Sequence, residues 1–240
     1  MRSLTGRKIP IIIAVFSAVC VIAGLLLALV IRSTTVHTGI LEFTDPDVMA
    51  ESDILIRYML TQADERTRLR SYEDESADLL NIMDTADTIL VVESDGGLQQ
   101  LQGSFLQDLT VLEVLRCAEP SVTAGSRIQL YSNGGMLYEN SQIYYEGPYY
   151  RNILHSGKTY LVFLEYPEAG RYADTPYFNP INNMFAVIDL DRSHALGTCP
   201  SYDFNASRDV MHLTSSARFA AFFAAQEEIL LAEYLGDRYE

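Results

Sequence analysis

Three cysteines, Cys20, Cys117 and Cys199, are all that 240 residues contain, and they form no CxxC pair. The four histidines, His37, His155, His194 and His212, stand apart without an HExxH or HxH arrangement, so spacing implies no metal site and no cofactor. No GxSxG, SxxK or P-loop occurs. His155 and Ser156 are neighbours, but adjacent strand residues face opposite ways and do not make a nucleophile and base. The "DLDRS" stretch with Asp189 and Asp191 lacks the glycine and distal glutamate of a calcium loop. These absences remove the sequence grounds for an enzyme, an envelope hydrolase included.

Acidic residues are missing from the first 41 positions, where Arg2, Arg7, Lys8 and Arg32 lie; all 32 acids follow, against the remaining 13 of the 17 basic residues. A surface this acidic repels phosphate backbones and argues against nucleic acid as a partner. With 48% hydrophobic and 20% charged residues, the composition is that of a folded chain.

Charge is also absent from the run Ile9 to Ile31 apart from its flanks. As a helix at about 1.5 Å per residue, that run is long enough for the roughly 30 Å hydrocarbon layer. It therefore reads as a transmembrane signal-anchor, residues 9–31, with 1–8 cytoplasmic and the large C-terminal part extracytoplasmic by the positive-inside rule. A cleaved signal peptide is the competing reading, although the apolar stretch is long and no small-x-small site follows. The expected localisation is a single-pass cell-membrane protein. In an oxidising compartment Cys117 and Cys199 are candidates for a disulfide; two separate thiols are the alternative.

Residues 32–71 read as a polar stalk and charged extension, and 72–240 as the extracytoplasmic domain. Leu79, Leu80, Ile82 and Met83 recur at helical spacing. β-rich runs follow at "DTILVVES", "SFLQDLTVLEVLRC", "SRIQLYS", "KTYLVFLEY" and "NMFAVIDL", with turn signals at "DGG" and "NGG". The second has apolar residues on both faces, as a strand covered on both sides should. From about Thr214, Phe219, Phe222, Phe223, Ile229, Leu230 and Tyr234 mark a C-terminal amphipathic helix.

Asp87, Val111 to Leu115, Gly125 to Tyr131 and Gly157 to Leu164 match, piece by piece, an aspartate-led first strand, a "V-x-x-VLKG" strand, a "G-D-x-I-x-VY" strand and a "GxxYLLFL" strand. In this order the chain resembles the OB-fold, netrin-like or TIMP-like domains of uncharacterised bacterial membrane-anchored cell-surface proteins, over about residues 72 to 237. The resemblance implies a mainly β fold with α: a five-stranded OB-like barrel plus a C-terminal helix, preceded by the membrane helix. Where that pattern has Lys-Gly, this chain has Arg116-Cys117. The metalloprotease inhibition of TIMP-like proteins depends on an N-terminal cysteine and does not carry over, since the early cysteine here is Cys20 in the apolar run.

Tyrosine is the residue type in excess, with many of its 15 copies in "MLYENSQIYYEGPYYRNILHSG". A flat ring with a polar tip suits sugars and peptides at a wet surface, which makes Tyr144, Tyr145, Tyr149 and Tyr150, with Arg151 beside them, the candidate ligand-binding residues. The competing reading has these rings stiffening a long connection. The expected function is a non-enzymatic binding or interaction module at the cell envelope, for a glycan, peptide or envelope protein. The alternative is an envelope scaffold or assembly factor acting through its span and C-terminal helix.

Overall fold

The computed structural model describes residues 51–101, 104–167, 174–181, 183–191 and 198–236, together with Ser17, residues 20–24, Leu26 and Met49. The chain divides into two units, Met1–Ile40 and Leu41–Glu240. In the first, the described residues are helical, and Val21, Ile22 and Leu26 are exposed. The expected membrane span is corrected here: among the described residues no helix is long and apolar enough to cross a membrane. A crossing takes about 20 consecutive apolar helical residues, whereas the longest described helical stretch within 9–31 is residues 20–24. The rest of that run lies outside the described residues. The single-pass localisation and its orientation fall with the span.

In the second unit, nine strands are described: β1 (Ile54–Ile56), β2 (Thr88–Leu101), β3 (Ser104–Arg116), β4 (Arg127–Asn133), β5 (Gly135–Glu139), β6 (Gln142–Glu146), β7 (Thr159–Glu165), β8 (Tyr177–Pro180) and β9 (Val187–Asp189). Helices α1 (Gln62–Asp64), α2 (Arg70–Ser76), α3 (Leu79–Asp84) and α4 (Ala217–Tyr234) accompany them, with a π-helical turn Glu65–Leu69 joining α1 to α2. The fold is mainly β with some helices. A six-stranded sheet runs in the order β2-β3-β4-β8-β7-β9, with a further antiparallel pairing of β2 on β7, and β1-β6-β5 form a separate three-stranded sheet.

The expected five-stranded barrel is likewise corrected. β8 meets β4 only at Gln129/Tyr177 and Leu130/Phe178, and meets β7 only at Leu164/Pro180 and Glu165/Asn179. A four-residue strand ending in a proline, which has no N–H to donate, cannot extend that seam. The remaining outer edge of β4 has no strand partner among the described residues, so the sheet does not close as a barrel. This β-rich arrangement stays compatible with an OB fold.

Strands β2 and β7 are apolar on both faces because each face meets a different layer. Ile89, Val91, Leu161 and Phe163 pack toward the helices with Leu69, Met83, Phe219 and Phe223. Leu90, Val92, Tyr160 and Val162 pack with Leu109, Val111, Ile128 and Phe178 on the other side. The "DGG" signal is not a turn: β2 runs through it, with a register shift between Ser94 and Leu98 and Gly96 at φ 79°. Helix α4 forms as its periodicity implies, capped by Ser216, whose hydroxyl accepts from the Phe219 N–H at 3.2 Å. The charged run 62–70 is exposed or half-buried apart from Leu69, while Ile54, Ile56 and Leu60 just ahead of it are buried.

Candidate functional site

The tyrosine-rich connection is ordered by a hairpin. β5 and β6 pair antiparallel from Gly135/Glu146 to Glu139/Gln142, turning through Asn140 (φ 52°) and Ser141 (φ 65°). Positive φ at both central residues is the geometry whose twist suits a two-residue β-turn between such strands, and asparagine tolerates it better than most side chains. β1 then pairs parallel to β6, bringing Leu55 opposite Tyr144 and Ile56 opposite Tyr145.

Beyond β6 the backbone doubles back. A Cβ on Gly147 would lie 2.0 Å from the Arg151 carbonyl oxygen, so this position admits only glycine. Tyr149 (φ 51°) and Tyr150 (φ 59°) follow in the left-handed region. Such residues cost on the order of 1–3 kcal/mol each and persist only where surrounding contacts impose them. Those contacts are present: Tyr145 Oη donates to the Arg151 carbonyl at 3.0 Å, the Leu213 N–H donates to the Tyr150 carbonyl at 2.6 Å, and the Asn152 N–H donates to the Met211 carbonyl at 2.9 Å.

This strained turn divides the five candidate residues. Tyr149, 40% exposed, and Tyr150 line a cleft of about 240 Å³ with Tyr72, Glu75, Leu79 and Phe185. Arg68 Nη1 donates to the Tyr150 hydroxyl from outside the lining, and burial, then Tyr150, pushes the Tyr72 hydroxyl above its usual pKa while Arg68 opposes them. Tyr144 is half-buried in β6. Tyr145 is fully buried, its ring 4.7 Å from that of Phe204.

Arg151 does not join the cleft. It is 3% exposed, and among the described residues its Nε and Nη1 have no hydrogen-bond partner. Its guanidinium carbon is 6.0 Å from the Tyr149 ring centroid. Burial pushes its pKa down to about 10, against the raising influence of Tyr145 and Tyr149. Cys117 and Cys199 are free thiols in place of the expected bridge. Cys117 Sγ lies 3.3 Å from the Glu119 carbonyl oxygen, and the buried Cys199 Sγ lies 3.8 Å from that of His212.

Sequence reasoning missed a second and larger pocket, of about 540 Å³, whose lining includes Leu98, Gln107, His155, Lys158 and Arg208. One signal pointed to it: Lys158 is the only lysine after Lys8. Among the described residues no group of three or more His, Cys, Asp or Glu is placed to hold a metal ion. No protein-family model matches the chain, and no curated protein does.

Proposed function

We propose that the Leu41–Glu240 unit is a non-enzymatic binding module that receives a basic peptide side chain in the Tyr149–Tyr150 cleft. The observation that carries this reading is the pair of consecutive left-handed tyrosines beside that cleft. Backbone strain of this kind is retained where it presents side chains for use. The aromatic lining, from Tyr72, Tyr149, Tyr150 and Phe185, offers ring faces to a cation, and Glu75 adds a carboxylate. The acidic balance of the unit also favours a basic partner over an acidic one.

The chain has no tryptophan, so its intrinsic emission comes from its 15 tyrosines, those of the cleft among them. The full-length protein is titrated with short lysine-containing peptides, their glutamate counterparts and neutral oligosaccharides. Saturable binding of the lysine peptides alone, weakened about tenfold or more by Tyr149→Ala with the thermal midpoint retained, is the expected result. Equal binding of the glutamate peptides overturns the charge argument. Binding of the oligosaccharides alone assigns the cleft to a glycan instead.

A further inference from the structure

The larger pocket has a different chemistry from the tyrosine cleft. One wall is the bulged part of β2, where a Cβ on Gly96 would lie 2.5 Å from Ser156 Oγ; only glycine lets the 155–158 turn approach so closely. That turn is tied to β2 by the Gly157 N–H on the Ser94 carbonyl at 2.7 Å and by the Ser94 N–H on the Lys158 carbonyl at 2.9 Å. Another part of the lining, Asn205, Arg208 and Asp209, follows from the short helical turn Asn205–Ser207. Asn152 Nδ2 donates to the carbonyls of Ser207, Arg208 and Val210 at 3.0 to 3.1 Å, and this fixes the backbone that carries Arg208. His155 Nε2 lies 3.0 Å from the Arg208 carbonyl oxygen. A carbonyl only accepts, so Nε2 carries the proton and the ring links the two lining segments.

Lys158 and Arg208 thus reach one pocket from two braced elements, both half-buried. Among the described residues neither forms an ion pair. Among the described residues of the lining the only carboxylate is that of the exposed Asp209. In a unit where acids far outnumber bases, two cations sharing a pocket with no ion-pair partner among the described residues are an exception to the surrounding field. Partly desolvated cations of this kind gain most from an oxyanion, and arginine with lysine is a common phosphate-binding combination. Met49, Leu98, Ile153 and Leu154 supply apolar surface beside them, and the volume is that of a small-molecule pocket rather than an ion site.

We infer that this pocket binds a small ligand with a phosphate or carboxylate head and an apolar body, the head held by Lys158 and Arg208.

The full-length protein is titrated calorimetrically with phenyl phosphate, benzoate, inorganic phosphate and benzyl alcohol. Vesicles of phosphatidic acid in phosphatidylcholine provide the lipid form of the same head group. Phenyl phosphate is expected to bind, more weakly as salt rises. Lys158→Met and Arg208→Met each weaken it about tenfold or more, the double variant removes it, and Lys158→Arg restores most of it. Circular dichroism of the free variants matches the parent, since methionine keeps the apolar stem. Benzoate binding at comparable affinity admits carboxylate heads, and vesicle binding without phenyl phosphate binding assigns the oxyanion to a lipid. Unchanged affinity in the double variant, or equal binding of benzyl alcohol, overturns the charge assignment; inorganic phosphate binding as tightly as phenyl phosphate overturns the apolar body. Tyr149→Ala leaves this binding intact, which separates it from the peptide cleft.

Discussion

His212 Nε2 lies 2.6 Å from Glu227 Oε1, and both side chains are buried, at 4% and 7% exposure. The pair ties helix α4 to the segment that also pins Tyr150 and Arg151 through the Leu213 N–H and the Arg151–His212 bridge. The imidazole is also tilted against the Phe223 ring, with centroids 4.5 Å apart. Among the described residues its Nδ1 has no partner, so the Glu227 bond is its main polar anchor. Removing one member of a buried polar pair strands the other, at a cost of about 1–3 kcal/mol. Glu227→Ala is expected to lower the urea unfolding free energy by that amount. The double replacement His212→Phe with Glu227→Leu costs much less, because no polar group is left unpaired. A Glu227→Ala loss below about 1 kcal/mol would show that the pair does not hold the helix.

Tyr149 predicts an opposition between stability and binding. Glycine relieves the left-handed φ of 51° and adds chain entropy to the unfolded state, two effects of about 1 kcal/mol that nearly cancel. Tyr149→Gly therefore leaves the thermal midpoint unchanged or slightly raised while abolishing peptide binding in the cleft. A midpoint lowered by more than about 5 °C would mean that the ring, 40% exposed, is held by packing instead.

Arg151 carries a burial cost that an apolar side chain avoids. With the folded-state pKa down at about 10, the penalty on its charged form is present in full below that pH and is relieved as pH rises toward the unfolded value. Arg151→Met is expected to raise the unfolding free energy at pH 7 by about 1 kcal/mol or more. A loss of stability would show that the surrounding groups compensate the guanidinium.

Asp64 gives a pH-dependent contribution of the opposite sign. Its Oδ2 accepts from the Thr61 N–H and hydroxyl, both at 2.8 Å, and these two bonds, the backbone one foremost, hold its carboxyl below the usual 3.8. Arg68, 3.8 Å away, adds less. A carboxyl whose folded pKa is lowered stabilises fully above its unfolded value and loses that contribution as pH falls through the folded one. The stability difference between the parent and Asp64→Ala should be constant from about pH 5 to 7, near 1 kcal/mol, and shrink below about pH 4. Urea midpoints across that range measure it; a difference independent of pH would assign the effect to helix propensity alone.

Local periodicity alone determined the central strands and the last helix. Ile128 and Leu130 alternate inward on β4, β2 and β7 are apolar on both faces, and Phe219, Phe223 and Leu230 line the buried side of α4. Each pattern sits within one window of chain, where side-chain direction follows directly from backbone period. The β5–β6 hairpin was illegible because Asn140-Ser141 lacks the glycine that usually marks such a turn, and β1 because its parallel partner β6 lies far along the chain. The candidate sites depended on tertiary structure still more. Tyr145 and Tyr149 look alike in sequence, yet one is fully buried and the other 40% exposed, because the left-handed turn after Gly147 reverses the chain between them. Lys158 and Arg208 line one pocket only because the turn tied to the β2 bulge and the segment after a short helical turn come together there. Periodicity places side chains on a face; only the packing of distant segments decides which faces meet.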